Sequence, residues 1–156
     1  MTHKDWMSIA FDEAIKGMNG NKGGPFGAIV VLDGKIIGKG CNMVTSTNDP
    51  TAHAEVVAIR NACRATKQFH LKGAVIYATC EPCPMCLSAI YWANIDSIYY
   101  CATKNDAKSI GFDDSYIYRE FRKSMGSRSI PCKRIESPLS EKLFRQWTKK
   151  KDRIPY

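Results

Sequence analysis

The chain has 156 residues and a formal net charge of +8. That length suits one domain with a real hydrophobic core, and 44% hydrophobic, 24% charged and 10% aromatic residues are ordinary for a globular protein. No apolar run is long enough to span a bilayer. The start, Met1 to Trp6, lacks the charged and then apolar stretch of a secretory signal, so a cytoplasmic location is the default expectation.

In chain order, Trp6, Met7, Ala10, Phe11, Ala14, Ile15 and Met18 recur at helical spacing, and Gly20 can stop that helix. Gly23-Gly24-Pro25-Phe26-Gly27 is a loop. Ala28 to Leu32 reads as a buried strand, Asp33-Gly34 as a hairpin turn and Lys35 to Cys41 as the returning strand. After a polar stretch from Asn42 to Pro50, Thr51 is a candidate N-cap for a helix from about Ala52 to Thr66. Ala74 to Ala78 is a third strand, followed by a helix from about Pro84 to Ala93. Ser97 to Cys101 is a fourth strand and Ile130 to Ile135 a short last one, before a final amphipathic helix from Pro138 to Lys150. This order predicts an α/β sandwich with a mixed sheet.

Seven cysteines, an odd number, and no secretory signal argue against a disulfide framework. Cys83 and Cys86 read as metal ligands, and Cys41, Cys63, Cys80, Cys101 and Cys132 as core residues. The positive charge reads as diffuse. Its one dense stretch is Lys149, Lys150, Lys151 and Arg153 after Lys142 and Arg145, taken as a solvated helix face rather than a nucleic-acid surface.

The chemistry gathers at His53-Ala54-Glu55 and Pro82-Cys83-Pro84-Met85-Cys86. A catalytic zinc takes three protein ligands and keeps a fourth position for water. His53, Cys83 and Cys86 supply that set. Cys83 and Cys86, at i and i+3, share one face of a helix's first turn, Pro84 suits the first helical position, and the helix dipole favours thiolates there. His53 and Glu55 stand two apart and can converge only on something just beyond the start of their helix. Two helix starts aimed at one ion are therefore expected, with Glu55 near the metal as a proton shuttle. A closed zinc site with Cys80 or His70 as fourth ligand is the structural alternative, but it leaves Glu55 and Pro82 unexplained. The pair His-x-Glu and Pro-Cys-x-x-Cys is the known signature of zinc-dependent nucleobase deaminases.

On these motifs the sequence resembles the cytidine deaminase superfamily, over nearly its whole length. Within it the chain is similar to bacterial guanine deaminases, on Gly23 to Ala28, Asn48 to Glu55, Cys80 to Ala93, Gly111-Phe112-Asp113-Asp114-Ser115 and the final Tyr156. The resemblance implies a three-layer α/β/α sandwich with a mixed five-stranded sheet, one zinc ion per subunit and conversion of guanine to xanthine and ammonia. It also implies a single deaminase domain over residues 1–156 and a homodimer, in which a segment from about residue 138 to 156 crosses to the partner and Tyr156 helps to close its active site. Read without the resemblance, that tail is a frayed terminus.

Guanine offers hydrogen-bonding edges and a flat apolar face. Asn42 can read a purine edge, or is a plain turn residue after the second strand. Phe26, Phe112 and Trp92 are candidate stacking surfaces, or core. Ala54 joins the expected substrate contacts. A carboxylate can accept from the N1–H and 2-amino groups of guanine. Asp113 and Asp114 are equal by spacing, and the resemblance selects Asp114, which it also implies as an aid to proton transfer beside Glu55. Competing readings are tRNA adenosine deamination, guanosine deamination, and a non-catalytic zinc-stabilised module; neither nucleic acid nor a membrane is expected as a partner.

Overall fold

A computed structural model describes residues 1–156, which form two compact units, Met1–Ser115 and Tyr116–Tyr156. The net charge divides with them. The second unit carries twelve Lys and Arg against four Asp and Glu, the first eleven of each, so all of the excess lies after Ser115 rather than being diffuse.

The first unit is built on a sheet whose strands hydrogen-bond in the order β2-β1-β3-β4. These strands are β1 (Gly27–Leu32), β2 (Lys35–Cys41), β3 (Val75–Cys80) and β4 (Ser97–Ala102). β1 is antiparallel to β2 and β3, whereas β3 and β4 are parallel, so the sheet is mixed. The β1–β2 hairpin turns on Asp33 and Gly34, both at positive φ, as a tight two-residue turn requires. The parallel β3–β4 pair needs a crossover, which α4 (Pro84–Trp92) supplies.

Alternating side chains of β1 serve opposite layers. Ile29 and Val31 pack with Tyr77 against Ala10 of α1 (His3–Asn19). Ala28 and Val30 pack with Ile76 and Ala78 against Ala54, Ala58 and Ala62 of α3 (Ala54–Thr66) and Ile90 of α4. Helices thus cover both faces, in the expected α/β/α arrangement. The α3–β2 approach is close enough to demand glycine: a Cβ on Gly40 would lie 2.3 Å from the Ala54 carbonyl oxygen, and one on Gly38 2.3 Å from that of Ala58. This approach sets the first turn of α3 against the end of β2. Shorter helices α2 (Val44–Thr47) and α5 (Lys104–Ser109) complete the unit, and α6 (Ser115–Arg122) starts at its end.

The structure differs from the sequence-based expectations at three places. The sheet has four strands, not five: residues 130–135 are irregular and exposed, because an apolar alternation forms a strand only where a neighbour supplies its hydrogen bonds. α3 starts at Ala54 with His53 as N-cap, not at Ala52 with Thr51, whose N–H and hydroxyl both donate to Asp49 at 2.8 and 2.7 Å. Cys41 and Cys80 are buried and Cys63 half-buried as expected, but Cys101 and Cys132 are exposed. Cys101 stands on β4, which bounds one side of the sheet.

The second unit carries a 3-10 turn (Met125–Ser127) and α7 (Pro138–Lys149), with Pro138 in its first turn and the Ser137 hydroxyl accepting from Leu139 N–H. Leu139, Leu143, Phe144 and Trp147 of α7 are all exposed. No helix of the protein is long and apolar enough to cross a membrane.

Candidate active site

His53 and Cys83 occupy the same local position in different helices. His53 is the N-cap of α3 and Cys83 the N-cap of α4, with Pro84 next to it in the first turn. The His53 side chain makes no bond back to its own helix, whereas the Cys83 sulfur is hydrogen-bonded by Cys86 in the first turn of α4. The His53 Nδ1 lies 3.6 Å from Cys83 Sγ and 3.5 Å from Cys86 Sγ. The ligand atoms of all three residues lie within 4.8 Å of one another, and neither Cys80 nor His70 joins them. Cys80 instead points its thiol at the Thr103 carbonyl, 3.6 Å away, and burial pushes its pKa to about 11, so it stays protonated.

The electrostatics fit a cation between the three groups. The hydrogen bond from Cys86, opposed by burial and helped by His53, pulls the Cys83 thiol down to about 4, while the same bond and burial push Cys86 up. Without an ion the two sulfurs share one proton, as two like groups in contact must. His53 is raised chiefly by its bond to Cys83, against the opposing effect of burial. One imidazole and two thiols at this spacing are a zinc donor set with one position left for a non-protein ligand.

Glu55 stands in the first turn of α3 and is 8% exposed. Burial pushes its carboxyl up; its own backbone N–H opposes this and the Cys83 charge adds to it. It hydrogen-bonds Cys86, which brings it to the thiol cluster that the sequence motif anticipates. Ala54, in the same turn, is fully buried.

Asn42 follows β2 and is 5% exposed. Its Oδ1 accepts from the N–H groups of Gly24 and Val44, both at 3.2 Å, and the next residue, Met43, donates its N–H to the carbonyl of Ala52, just before His53. Phe26 and Phe112 pack edge to face with centroids 4.9 Å apart, and a Cβ on Gly24 would reach Phe112 Cζ at 2.8 Å. The structure separates the two acidic candidates that spacing could not. Asp113 is exposed, pairs with Lys108 at 3.1 Å and accepts from Ser115 N–H, which hold its carboxyl at about 2. Asp114 is half-buried, and burial first and the charge of Cys83 second raise its carboxyl.

One expected contact stands apart from this group. Trp92 ends α4, nine residues beyond Cys83 and so about 13 Å along the axis, and is 67% exposed. Tyr156 belongs to the second unit and is 80% exposed. Sequence reasoning passed over Thr79, whose buried hydroxyl accepts from Gly27 N–H at 3.1 Å and so ties the Gly23–Gly27 loop to β3. It also read the Gly23-Gly24 pair only as a loop; the adjacent glycines were the available signal of a close approach.

Comparison with known proteins agrees with this geometry. The profile of the family described as the cytidine and deoxycytidylate deaminase zinc-binding region matches residues 1–102. The chain is 48% identical over 149 residues to guanine deaminase of Bacillus subtilis (strain 168), covering 94% of each. It superposes on an X-ray structure of guanine deaminase from Bacillus subtilis with a TM-score of 0.96 at 44% identity, covering 100% of this chain and 99% of that one. A tRNA-specific adenosine deaminase of Agrobacterium fabrum is 50% identical over 78 residues, about half of each chain.

Proposed function

Because this chain belongs to the family of the cytidine and deoxycytidylate deaminase zinc-binding region, we propose that it hydrolyses guanine to xanthine and ammonia, with His53, Cys83 and Cys86 as zinc ligands and Glu55 as the proton carrier. The observation that carries the reaction type is the convergence of His53, Cys83 and Cys86, with Glu55 buried beside them. Similarity of 48% identity over 94% of the chain to a guanine deaminase supports the substrate, whereas tRNA-specific adenosine deaminases that match more than half of the chain do so at 33–42% identity over no more than 83% of it.

When bound, zinc acts as a Lewis acid that brings the pKa of a water near neutrality and so supplies a nucleophile at pH 7. Glu55 takes a proton from the attacking water. It delivers that proton to the ring nitrogen beside C2, then takes the second proton from the new C2 hydroxyl and passes it to the departing amino group, which leaves as ammonia while C2 becomes a carbonyl. The balance is one water consumed, one C–O bond formed and one C–N bond broken. Phe26 and Phe112 offer aromatic surface to the flat base. Asp114 accepts from N1–H and the 2-amino group, a donor pair that adenine lacks at these positions. Ala54 completes the floor beside the ligands, whereas Trp92, at the far end of α4, takes no part in holding the base.

The whole chain is proposed as a single deaminase domain that works as a homodimer in the cytoplasm with one zinc per subunit. Its segment from about residue 138 to 156 crosses to the partner, where Tyr156 closes the pocket. The exposed apolar face of α7 supports this, since a patch carrying Leu139, Leu143, Phe144 and Trp147 is costly to leave in water.

The deciding experiment incubates the zinc-loaded protein with guanine, guanosine, adenine, cytosine, cytidine and a tRNA anticodon stem and measures ammonia. Release from guanine alone is expected. Release from the tRNA stem and not from guanine replaces this reading with adenosine deamination.

A further inference from the structure

The connection from β3 to α4 is Glu81, Pro82 and Cys83. It delivers a metal ligand, and it is also tied sideways to the next strand and helix. The Glu81 N–H donates to the Ala102 carbonyl at 2.8 Å, one step beyond the β3–β4 pair of Cys80 with Ala102. The Glu81 side chain then reaches α5. Its Oε2 accepts from the Lys104 N–H at 3.1 Å, while its Oε1 lies 3.7 Å from Lys104 Nζ.

A helix start leaves its first N–H groups without partners in the helix. In α5 the Thr103 hydroxyl accepts from the Asp106 N–H, and Glu81 accepts from Lys104, the first residue of the helix. The start of α5 is therefore capped partly by its own N-cap and partly by the connection that carries Cys83. A carboxylate on a backbone N–H is a charge-assisted bond at the positive end of a helix, whereas the half-exposed Lys104 ammonium at 3.7 Å adds little. The other end of α5 is closed as well. The Gly111 N–H donates to the Lys108 carbonyl and the Phe112 N–H to that of Ala107, both at 3.0 Å, and Asp113 pairs with Lys108. Asp114 follows directly. Burial and the Cys83 charge raise its carboxyl, the Lys104 charge lowers it and the Glu81 charge raises it, so both partners of the contact act on Asp114.

We infer that Glu81 is a positioning residue: it holds the start of α5 to the metal-ligand connection and thereby sets where Asp114 meets the base. The inference rests on the reading of Asp114 above as the acceptor for guanine, and deepens it.

The test compares wild type, Glu81→Ala, Glu81→Gln and Lys104→Met as zinc-loaded protein on guanine at neutral pH. Misplacing a group that binds substrate and transition state alike raises KM and spares kcat. Glu81→Ala should raise KM about tenfold or more, with kcat within about threefold and zinc content unchanged. Glu81→Gln keeps an oxygen for the Lys104 N–H, and Lys104→Met keeps that N–H, so both should stay within about threefold of the wild-type KM. A Glu81→Ala variant with wild-type KM, a Glu81→Gln variant as impaired as Glu81→Ala, or as large a rise in KM for Lys104→Met each overturns the inference. Where Glu81→Ala does not fold, Glu81→Asp, whose shorter arm withdraws the carboxylate from α5, carries the same expectation. No ammonia from guanine with the wild type overturns the substrate reading instead. The tether is then decided by hydrogen exchange, which Glu81→Ala and not Glu81→Gln must speed at the Lys104 and Phe112 amides; unchanged exchange overturns it.

Discussion

The imidazole Nδ1 of His53 lies 3.6 Å from the thiol of Cys83, thirty positions away in the chain, and each residue is the N-cap of its helix. The site is thus assembled from two helix starts, and its ligand groups stand where a dipole favours negative charge.

Removing the metal should loosen both starts at once. A ligand that binds only the folded chain stabilises it by mass action, and a site of thiolates and imidazole does not persist in the unfolded chain. Melting the zinc-loaded protein with and without a strong chelator should show a lower Tm after chelation. Cys83 should become reactive toward a thiol reagent, since it falls to about 4 without an ion and is only half-buried. An unchanged Tm and an unreactive Cys83 speak against a metal centre here.

Glu55→Gln should separate chemistry from metal binding. Glu55 is not among the three ligand atoms gathered within 4.8 Å, so zinc content should stay at the wild-type level. Turnover should fall by about 10²- to 10⁴-fold, the range for a lost acid–base group. Zinc analysis and ammonia release on the same sample decide it, and substantial activity in the variant removes Glu55 from the mechanism.

Gly40→Ala tests the packing that seats the ligands. The new methyl would lie 2.3 Å from the Ala54 carbonyl oxygen and 2.6 Å from Ala58 N, both backbone atoms that cannot swing aside. Shifting α3 to make room should cost about 1–3 kcal/mol and move His53 off its position. Chemical denaturation and zinc affinity should fall together. A stability loss with unchanged zinc affinity would show that the α3–β2 approach does not set the ligand geometry.

Asp113 should contribute an acid-sensitive component. Its carboxyl is held at about 2 by the bond from Ser115 and the pair with Lys108. A depressed folded value means the contribution is complete above the unfolded value near pH 4 and fades as pH falls toward about 2. Asp113→Asn keeps an oxygen to accept from Ser115 but loses the charge. The Tm gap between wild type and variant should therefore be present at pH 7 and close as pH approaches 2. A gap independent of pH assigns the effect to something other than the charge.

Much of this was legible in the sequence where a local pattern dictated a local outcome. Pro84 after Cys83 marked the start of α4, Asp33-Gly34 the hairpin, and His-x-Glu with Cys-x-x-Cys the donor set. What escaped depended on partners distant in sequence. The start of α3 moved to His53 because Asp49 took up Thr51. Ile130 to Ile135 has a strand-like composition, but pairing needs a neighbour that no local window supplies. The orientation of Asn42 is fixed by Gly24, eighteen positions earlier, and the roles of Asp113 and Asp114 divide on Lys108 and Ser115.

The N-caps of α3 and α4 have one more consequence. A helix whose N-cap side chain accepts nothing from its first turn forgoes roughly 1 kcal/mol, and in both helices some first-turn amide hydrogens have no cap to accept them. In α3 these belong to Ala54 and Val56, since the Glu55 N–H meets its own carboxyl, and in α4 to Met85, since Pro84 has none and the Cys86 N–H meets the Cys83 sulfur. Occupancy by an ion would steady both first turns together, and deuterium uptake at these three amides would then fall in step. Two segments remote in sequence would act as one reporter of how fully a sample is loaded, readable by peptide mass without substrate or turnover.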